Sequence, residues 1–302
     1  MFHGAALSSG KVDSAFFFIV ATSVALLLLV TVMMLVFVRR YGHRRRPHPV
    51  VVRDSVALEI VWTAVPLVLV MLMFYFGYVD FEFIRTPPRG AMPVQVTARQ
   101  WSWLFTYADG RQDDVLRVPL GRPVTLTMTS LDVIHSLYIP AFRIKEDCVP
   151  GMKTHLWFEA DRTGTYEVFC TEYCGVGHSH MRSQVIVMPA SDFDAWYAAA
   201  EKTEATGAAA GLRVAKAKGC LGCHSTDGSR KVGPTFKGLI GSHETVTQAG
   251  RSRTITVDAA FVRQYVLRPN VDVVKGYPPI MPKIPVTDAD LDAVVAYLES
   301  LK

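Results

Sequence analysis

The run Cys170-Thr-Glu-Tyr-Cys174-Gly-Val-Gly-His178-Ser-His-Met181 sets two thiols four residues apart, an imidazole four further on and a thioether three beyond that. Soft and borderline donors of this kind select copper over hard cations. A second imidazole, His135 in Asp-Val-Ile-His-Ser-Leu-Tyr-Ile-Pro, lies upstream, at a separation that suits two loops brought to one end of a β-sandwich. A mononuclear blue-copper site needs one Cys. Two Cys with two His and one Met argue for two coppers bridged by two thiolates. A disulfide or a structural zinc site would use Cys170 and Cys174 but would leave Met181 and His135 unexplained.

A second cofactor pattern lies downstream. Cys220-Leu-Gly-Cys223-His224 is the C-x-x-C-H arrangement of c-type haem attachment, in which two thiols bond the vinyl groups and the His takes the iron. C-x-x-C alone would also fit a thioredoxin-like pair or half a zinc site. The adjacent His, and Met281 in the Pro-rich loop Tyr277-Pro-Pro-Ile-Met281-Pro, favour haem with His/Met axial ligands. That axial set raises the potential. His243 is a competing axial residue, but a bis-His haem would sit at a lower potential, poorly suited to feeding copper.

The elements that must carry these centres follow from composition. The chain has 302 residues, half of them hydrophobic, and a formal net charge of +5. The apolar excess is concentrated near the N-terminus. Ala15–Val38 is an uncharged run of 24 residues and Val61–Val79 a second of 19, each long enough to cross ~30 Å of hydrocarbon as a helix. The first lacks the small-residue cleavage site of a signal peptide and is expected to be retained. Between the spans lie Arg39, Arg40, Arg44, Arg45, Arg46 and Arg53. Such a loop is expected to stay in the cytoplasm, with both termini outside. Between two spans, this basic run is a topology signal; no nucleic-acid partner is expected. Cys148, in Lys-Glu-Asp-Cys-Val-Pro-Gly, is left over as a small buried residue.

Beyond Thr86-Pro-Pro-Arg-Gly90, short β-favouring segments separated by Pro/Gly turns predict a Greek-key sandwich. A short helix over Asp192–Lys202 and a featureless Ala/Gly-rich linker over Thr203–Gly211 are expected next. Helices then surround the haem motif, with Thr287 as an N-cap. The expected division is therefore 1–14, an outer segment; 15–90, a transmembrane hairpin; 91–190, a cupredoxin-like domain; 191–211, helix and linker; and 212–302, an all-α cytochrome domain. A tether of nine residues reaches about 15–18 Å. Exchange between the domains would then need no strong docking surface and would be nearly indifferent to salt.

Together these residues resemble subunit II of haem–copper cytochrome c oxidase, of the caa type with a fused cytochrome c. The likeness rests on Leu58–Pro66, Ala98–Tyr107, Asp132–Gly151 and the run Cys170–Met181. It implies a binuclear CuA site held by His135, Cys170, the Glu172 backbone carbonyl, Cys174, His178 and Met181. It also implies haem c on Cys220 and Cys223, with axial His224 and Met281. Electrons would pass from a cytochrome c or other donor, through the haem and copper, to subunit I, where oxygen is reduced; subunit III is a further partner. This chain would make and break no substrate bond itself. Trp101 resembles the aromatic through which electrons reach copper, though a core Trp, as Trp103 illustrates, fits equally. Glu172 resembles a ligand to magnesium shared with subunit I, and Glu59 a residue at the mouth of a proton pathway. Tyr138, Cys148 and His180 depart from the family pattern without removing a ligand, and His180 is expected at the surface. A CuA-type nitric oxide reductase subunit and a membrane-tethered carrier outside any oxidase stay open as alternatives. A quinol oxidase subunit, lacking copper ligands, is disfavoured.

Overall fold

The computed structural model describes residues 4–48, 53–199 and 206–302. It opens with two long helices, α1 (Leu7–Tyr41) and α2 (Val56–Arg85). Over Ala15–Val38 and Val61–Val79 both are free of charge on every face, and side chains such as Leu27, Leu28 and Phe74 point outward. A helix satisfies all its backbone hydrogen bonds internally, as hydrocarbon surroundings require. The two meet through the Phe18 and Phe76 rings, 5.7 Å apart, and through Lys11 and Asp80, 3.5 Å apart.

The helix begins at Leu7, ahead of the uncharged run, because the first residues are fastened to the next domain. Ala5 N–H donates to Ala141 O at 2.8 Å, Ser8 Oγ to Phe142 O at 2.9 Å, and Arg143 reaches Asp13 at 2.9 Å. At the far end of α2, Arg85 pairs with Glu146, and Trp157 Nε1 donates to Phe83 O at 3.0 Å.

Ten strands then form two five-stranded sheets. The first holds β1 (Met92–Arg99), β2 (Ser102–Tyr107), β3 (Gln112–Asp113), β5 (Pro123–Ser130) and β8 (Thr154–Glu159), in the order β3-β2-β1-β5-β8. The second holds β4 (Leu116–Pro119), β6 (His135–Ile139), β7 (Ile144–Cys148), β9 (Gly164–Cys170) and β10 (Arg182–Met188), in the order β4-β10-β9-β6-β7. Along β5 every second residue is buried: Val124, Leu126, Met128 and Ser130 face inward. This is the period of a sheet with one face in the core. Phe105, Leu126 and Met128 meet Leu137, Ile139 and Val168 between the layers, all of them inaccessible to solvent.

Helix α3 (Ala190–Ala199) closes the sandwich, laying Trp196 against Tyr107 at 5.4 Å, with the Arg111 guanidinium 4.4 Å from the Trp196 ring centre. The predicted continuation to Lys202 and the first part of the predicted linker lie outside the described residues. From Gly207 the linker expectation fails. Helix α4 (Gly207–Ala217) runs through it and lies against α7 (Asp288–Ser300). A Cβ on Gly211 would stand 1.9 Å from Ala293 O, so the small side chains serve a close helix crossing. The Ala/Gly composition gave no sign of that partner.

Helices α5 (Cys220–Cys223) and α6 (Ala259–Leu267) complete the helical part of the domain. Beside them stands a three-stranded sheet, β12-β11-β13, that the all-α expectation did not contain. Its strands β11 (His243–Gln248) and β12 (Arg251–Thr256) form a hairpin of alternating Thr, Val and Ile turned at Ala249-Gly250; β13 (Val273–Val274) is short.

The two soluble domains touch. Lys216 reaches Asp113 at 2.8 Å and Asp114 at 2.7 Å, Arg99 donates to Ala217 O, and Cys223, Val232 and Ile280 lie against the sandwich core. A charged contact thus joins the two domains, where the sequence suggested that none was needed.

Candidate metal and haem sites

The sandwich assembles its donors at one end. His135 opens β6, Cys170 ends β9, and the loop to β10 carries the rest. Cys170 N–H donates to Met181 O at 3.2 Å, which ties the two ends of the run together. Inside it, His178 N–H donates to Gly175 O at 3.0 Å, and Met181 N–H to His178 O at 3.1 Å. The Cys170 and Cys174 sulfurs stand 3.8 Å apart. His135 Nδ1 is 3.9 Å from Cys170 Sγ, His178 Nδ1 3.5 Å from Cys174 Sγ, and Met181 Sδ 3.9 Å from Cys174 Sγ. The Glu172 carbonyl oxygen faces Cys170 Sγ at 3.2 Å. His135, Cys170, Cys174 and Met181 are buried. Hence all six predicted donors converge on one small volume, two thiols at its centre, an imidazole on each, and a thioether and a carbonyl at opposite sides.

Electrostatics distinguish the two thiols. Burial opposes ionisation of Cys170, but His135 and the Ser136 and Glu172 backbone outweigh it and draw the thiol down to about 7. Cys174 is pushed up to about 12 by burial and by the charge on Cys170. Two thiolates this close would call for a cation, and metal binding would release the proton that Cys174 retains.

Asp132 is a functional residue that the sequence reading passed over. Its Oδ1 lies 2.8 Å from His135 Nε2, and its Oδ2 accepts from Gln100 N–H at 2.7 Å. A carboxylate on the far ring nitrogen fixes the tautomer, so that Nδ1 is free to ligate. The signal was present as an acid three residues before the His. Trp103 backs the same ring edge-on, at 6.3 Å. Cys148 pairs with His135 across β6 and β7 and is fully buried, its thiol pushed up to about 12 chiefly by burial. His180 and the Glu172 side chain are exposed. Glu59 is exposed in the first turn of α2, at the end away from the sandwich.

The C-terminal domain is built around a cavity of about 430 Å³. Its wall is apolar, including Phe236, Val257, Val262 and Leu298, and Cys220, Cys223, His224 and Met281 all line it. His224 Nδ1 faces Pro234 O at 2.7 Å and its ring stacks on Phe236 at 4.5 Å, which leaves Nε2 for a ligand. A Cβ on Gly233 would stand 2.6 Å from that ring, so the glycine makes room for it. Burial holds the His224 imidazole neutral, with its pKa lowered. Asn270, also unforeseen, clamps the other side: its Oδ1 accepts from Met281 N–H at 3.1 Å and its Nδ2 donates to Met281 O at 2.9 Å. His243 sits exposed on β11 against Thr256 and is not in the cavity wall. An apolar slot with two thiols, one oriented imidazole and a thioether fits a covalently held haem. The sandwich cluster fits copper by its donor types.

Trp101 lies between the two sites. It is 5% exposed, its Nε1 donates to Cys174 O at 3.0 Å, and with Asp132 it forms part of the haem-cavity wall.

A two-span anchor, a sandwich with a copper-type donor cluster and a domain built for haem c define a membrane-bound electron-transfer protein. Residues 4–78 match the family described as cytochrome c oxidase subunit II, transmembrane domain, residues 110–188 that subunit's periplasmic domain, and residues 208–302 cytochrome c. Cytochrome c oxidase subunit 2 of Alkalihalophilus pseudofirmus is 29% identical over 279 residues, 86% of this chain and 79% of that protein. The alternative cytochrome c oxidase subunit 2 of Bradyrhizobium diazoefficiens is 38% identical over 40% of this chain and 55% of its own length. Among solved structures, the periplasmic domain of subunit II of cytochrome oxidase from Bradyrhizobium japonicum is 28% identical, with a TM-score of 0.38, covering 40% of this chain and 100% of that one. The chain belongs to the cytochrome c oxidase subunit II family, in the form that carries a cytochrome c domain at its C-terminus. It is therefore an oxidoreductase subunit and a two-span membrane protein, and membership implies copper in the sandwich, haem c in the C-terminal domain and a catalytic subunit I as partner.

Proposed function

We propose that this chain is the electron-receiving subunit of a respiratory terminal oxidase. It would accept electrons from a cytochrome c or other donor complex at haem c and deliver them, by way of a binuclear copper centre, to subunit I for reduction of oxygen to water. The observation that carries this reading is the pair of donor sets bridged by Trp101, which, like its neighbour Gln100, donates to Cys174 O and lines the haem cavity. When bound, the two centres supply reversible one-electron chemistry; the chain supplies rigidity and position.

In that reading His135, Cys170, Glu172 through its carbonyl, Cys174, His178 and Met181 hold two coppers. Cys170 and Cys174 would both serve the two metals, their sulfurs facing one another at 3.8 Å. Asp132 holds His135 in register. Cys220 and Cys223 bond the haem, His224 and Met281 are its axial ligands, and Asn270 keeps the Met281 backbone in place. The exposed Glu172 carboxylate is free to share a magnesium with subunit I, a hard ion suited to oxygen ligands. Exposed Leu131, Val133, Tyr173 and Val176 around the copper loops offer that subunit an apolar surface. Glu59 is assigned to the mouth of a proton path, although a carboxylate in the first turn of α2 also favours the helix dipole.

The membrane is assigned as a bacterial inner membrane, with both termini outside and the Arg-rich loop in the cytoplasm. The fastening of Gly4–Ser9 to the sandwich supports a common side for the N-terminus and the copper domain. Subunit III is included as a partner of the assembly.

Metal analysis and electron paramagnetic resonance of the full chain test the assignment. Two coppers and one haem per chain, with the unpaired electron shared by two copper nuclei, are expected. One copper with a blue-copper spectrum would sink the binuclear reading.

A further inference from the structure

Trp101 stands between two glycines. On the copper side, a Cβ on Gly177 would lie 2.3 Å from the indole Cδ2; on the haem side, a Cβ on Gly222 would lie 2.6 Å from Trp101 O and 3.0 Å from Ser102 Cβ. Nothing else asks for glycine at position 222. The C-x-x-C-H pattern leaves its second intervening position open. The backbone there is not left-handed, in contrast to Gly219, whose φ is 76°. Within a helix glycine costs roughly 0.5–1 kcal/mol relative to alanine. The seat of α5 on the Trp101 backbone accounts for it.

We propose that Gly222 is a positioning residue for electron exchange between the two domains. Its missing side chain lets the haem-attachment helix rest directly on the residue whose indole holds Cys174. The inference rests on the two-centre reading given above. In the step it serves, one electron leaves the reduced haem, oxidising it, and enters the copper centre, reducing it; no bond or proton changes hands. Charge alone would not set the distance. Residues 206–302 carry 13 Lys and Arg against 8 Asp and Glu, and residues 91–199 carry 9 against 12, so the domains attract. Such attraction steers and orients but tolerates a gap. The glycine contact fixes the spacing.

The test uses the full-length chain in its oxidase complex, with copper and haem content measured first. Absence of either centre from the unaltered protein would overturn the reading of the sites, before any variant is compared. Gly222→Ala and Gly222→Val are then followed by zero-length carbodiimide cross-linking of Lys216 to Asp113 or Asp114, and by haem-to-copper transfer after photoreduction. Gly222→Val is expected to lower transfer several-fold, because tunnelling falls off exponentially with distance, and to reduce the cross-link yield. Gly222→Ala should do so to a lesser degree, both with unchanged haem and copper spectra. Full metal content with unchanged transfer and cross-linking in Gly222→Val would overturn the proposal. Should that variant fail to take up haem, unchanged transfer in Gly222→Ala, which adds one carbon atom, would overturn it equally.

Discussion

The copper domain and the haem domain hold their cofactors by opposite means. In the sandwich, the donors stand on a core already filled by its own side chains, with Phe105, Leu126, Met128 and Leu137 inaccessible to solvent. In the C-terminal domain the centre is a cavity of about 430 Å³, and the surrounding core is a thin shell that includes Ala215, Phe236, Val257 and Val295. A small domain has too little interior to stand alone and often leans on a cofactor. The copper site is thus a decoration on a finished fold, whereas the haem finishes its fold.

Removing each attachment is the strongest way to break that contrast. Cys220→Ala with Cys223→Ala should leave residues 206–302 without a stable core. The apolar wall of the emptied cavity, Phe236, Val257, Val262 and Leu298 among it, would lose its packing partner. Cys170→Ser with Cys174→Ser should abolish copper binding and leave the sandwich folded. Hydrogen exchange, read separately over the two domains, checks both. A folded haem domain without haem, or an unfolded sandwich without copper, would reverse the comparison.

Within the haem domain, Met281→Ala should remove the near-infrared sulfur-to-iron band while the covalent thioethers persist. Phe236→Ala, which takes away the ring stacked on His224 at 4.5 Å, should cost about 3–5 kcal/mol. Thermal unfolding followed at the haem absorption would show the second effect, and a band surviving in the first variant would assign the distal position elsewhere.

What was legible in the sequence follows the same division. The donors proposed for copper from Cys170 to Met181 are local, so their spacing alone brought them together as a candidate site. The sandwich announced itself through Pro/Gly turns and alternating strands such as Pro123–Ser130. What depends on a partner distant in sequence was hidden. The string Gly207-Ala-Ala-Ala-Gly211 has the composition of a linker, yet it is helical and crosses α7 closely, with Ala293 O where a Cβ on Gly211 would stand. Asn270 reads as a turn residue before a Pro-rich loop, and only the fold brings it to Met281. The hairpin β11–β12 carried a signal in its alternating Thr, Val and Ile and its Ala-Gly turn, and was outweighed by the expectation of helices around haem. The contact of Trp101 with Gly222 needs both domains in place before it exists.

The interface offers a smaller test. Lys216 stays protonated more firmly than an ordinary lysine; burial opposes this, and Asp113 and Asp114 outweigh it. Lys216 is about a quarter exposed, so solvent screens part of the attraction, and Lys216→Ala is expected to weaken docking by about 1–3 kcal/mol. Intramolecular transfer should slow at high salt in the unaltered protein and lose most of that dependence in the variant. Equal salt dependence in both would place the charged contact elsewhere.

The smallest effect isolates one helix end. Thr287 Oγ accepts from Asp290 N–H at 3.1 Å, and Asp290 accepts in return from Thr287 N–H at 3.0 Å, a capping box at the start of α7. Thr287→Ala should cost about 1 kcal/mol, a fall of about 4–8 °C in the melting of a domain this size. It should leave the sandwich unchanged, because the cap lies at the start of α7, whose main packing partner is α4. The Asp290 carboxyl is held below its ordinary range, first by the Thr287 backbone N–H, with Lys218 adding to the effect. A depressed carboxyl contributes stability above its unfolded value, near 3.8, and loses it as pH falls through the lower folded value. Asp290→Asn should therefore destabilise the haem domain at pH 7 and converge on the unaltered protein in acid. Thr287→Ala keeps the backbone donor and should stay destabilised at both. Melting curves of the three proteins at pH 7 and near pH 3 separate the two halves of the box, and parallel curves for Asp290→Asn at both pH values would show that its charge contributes nothing.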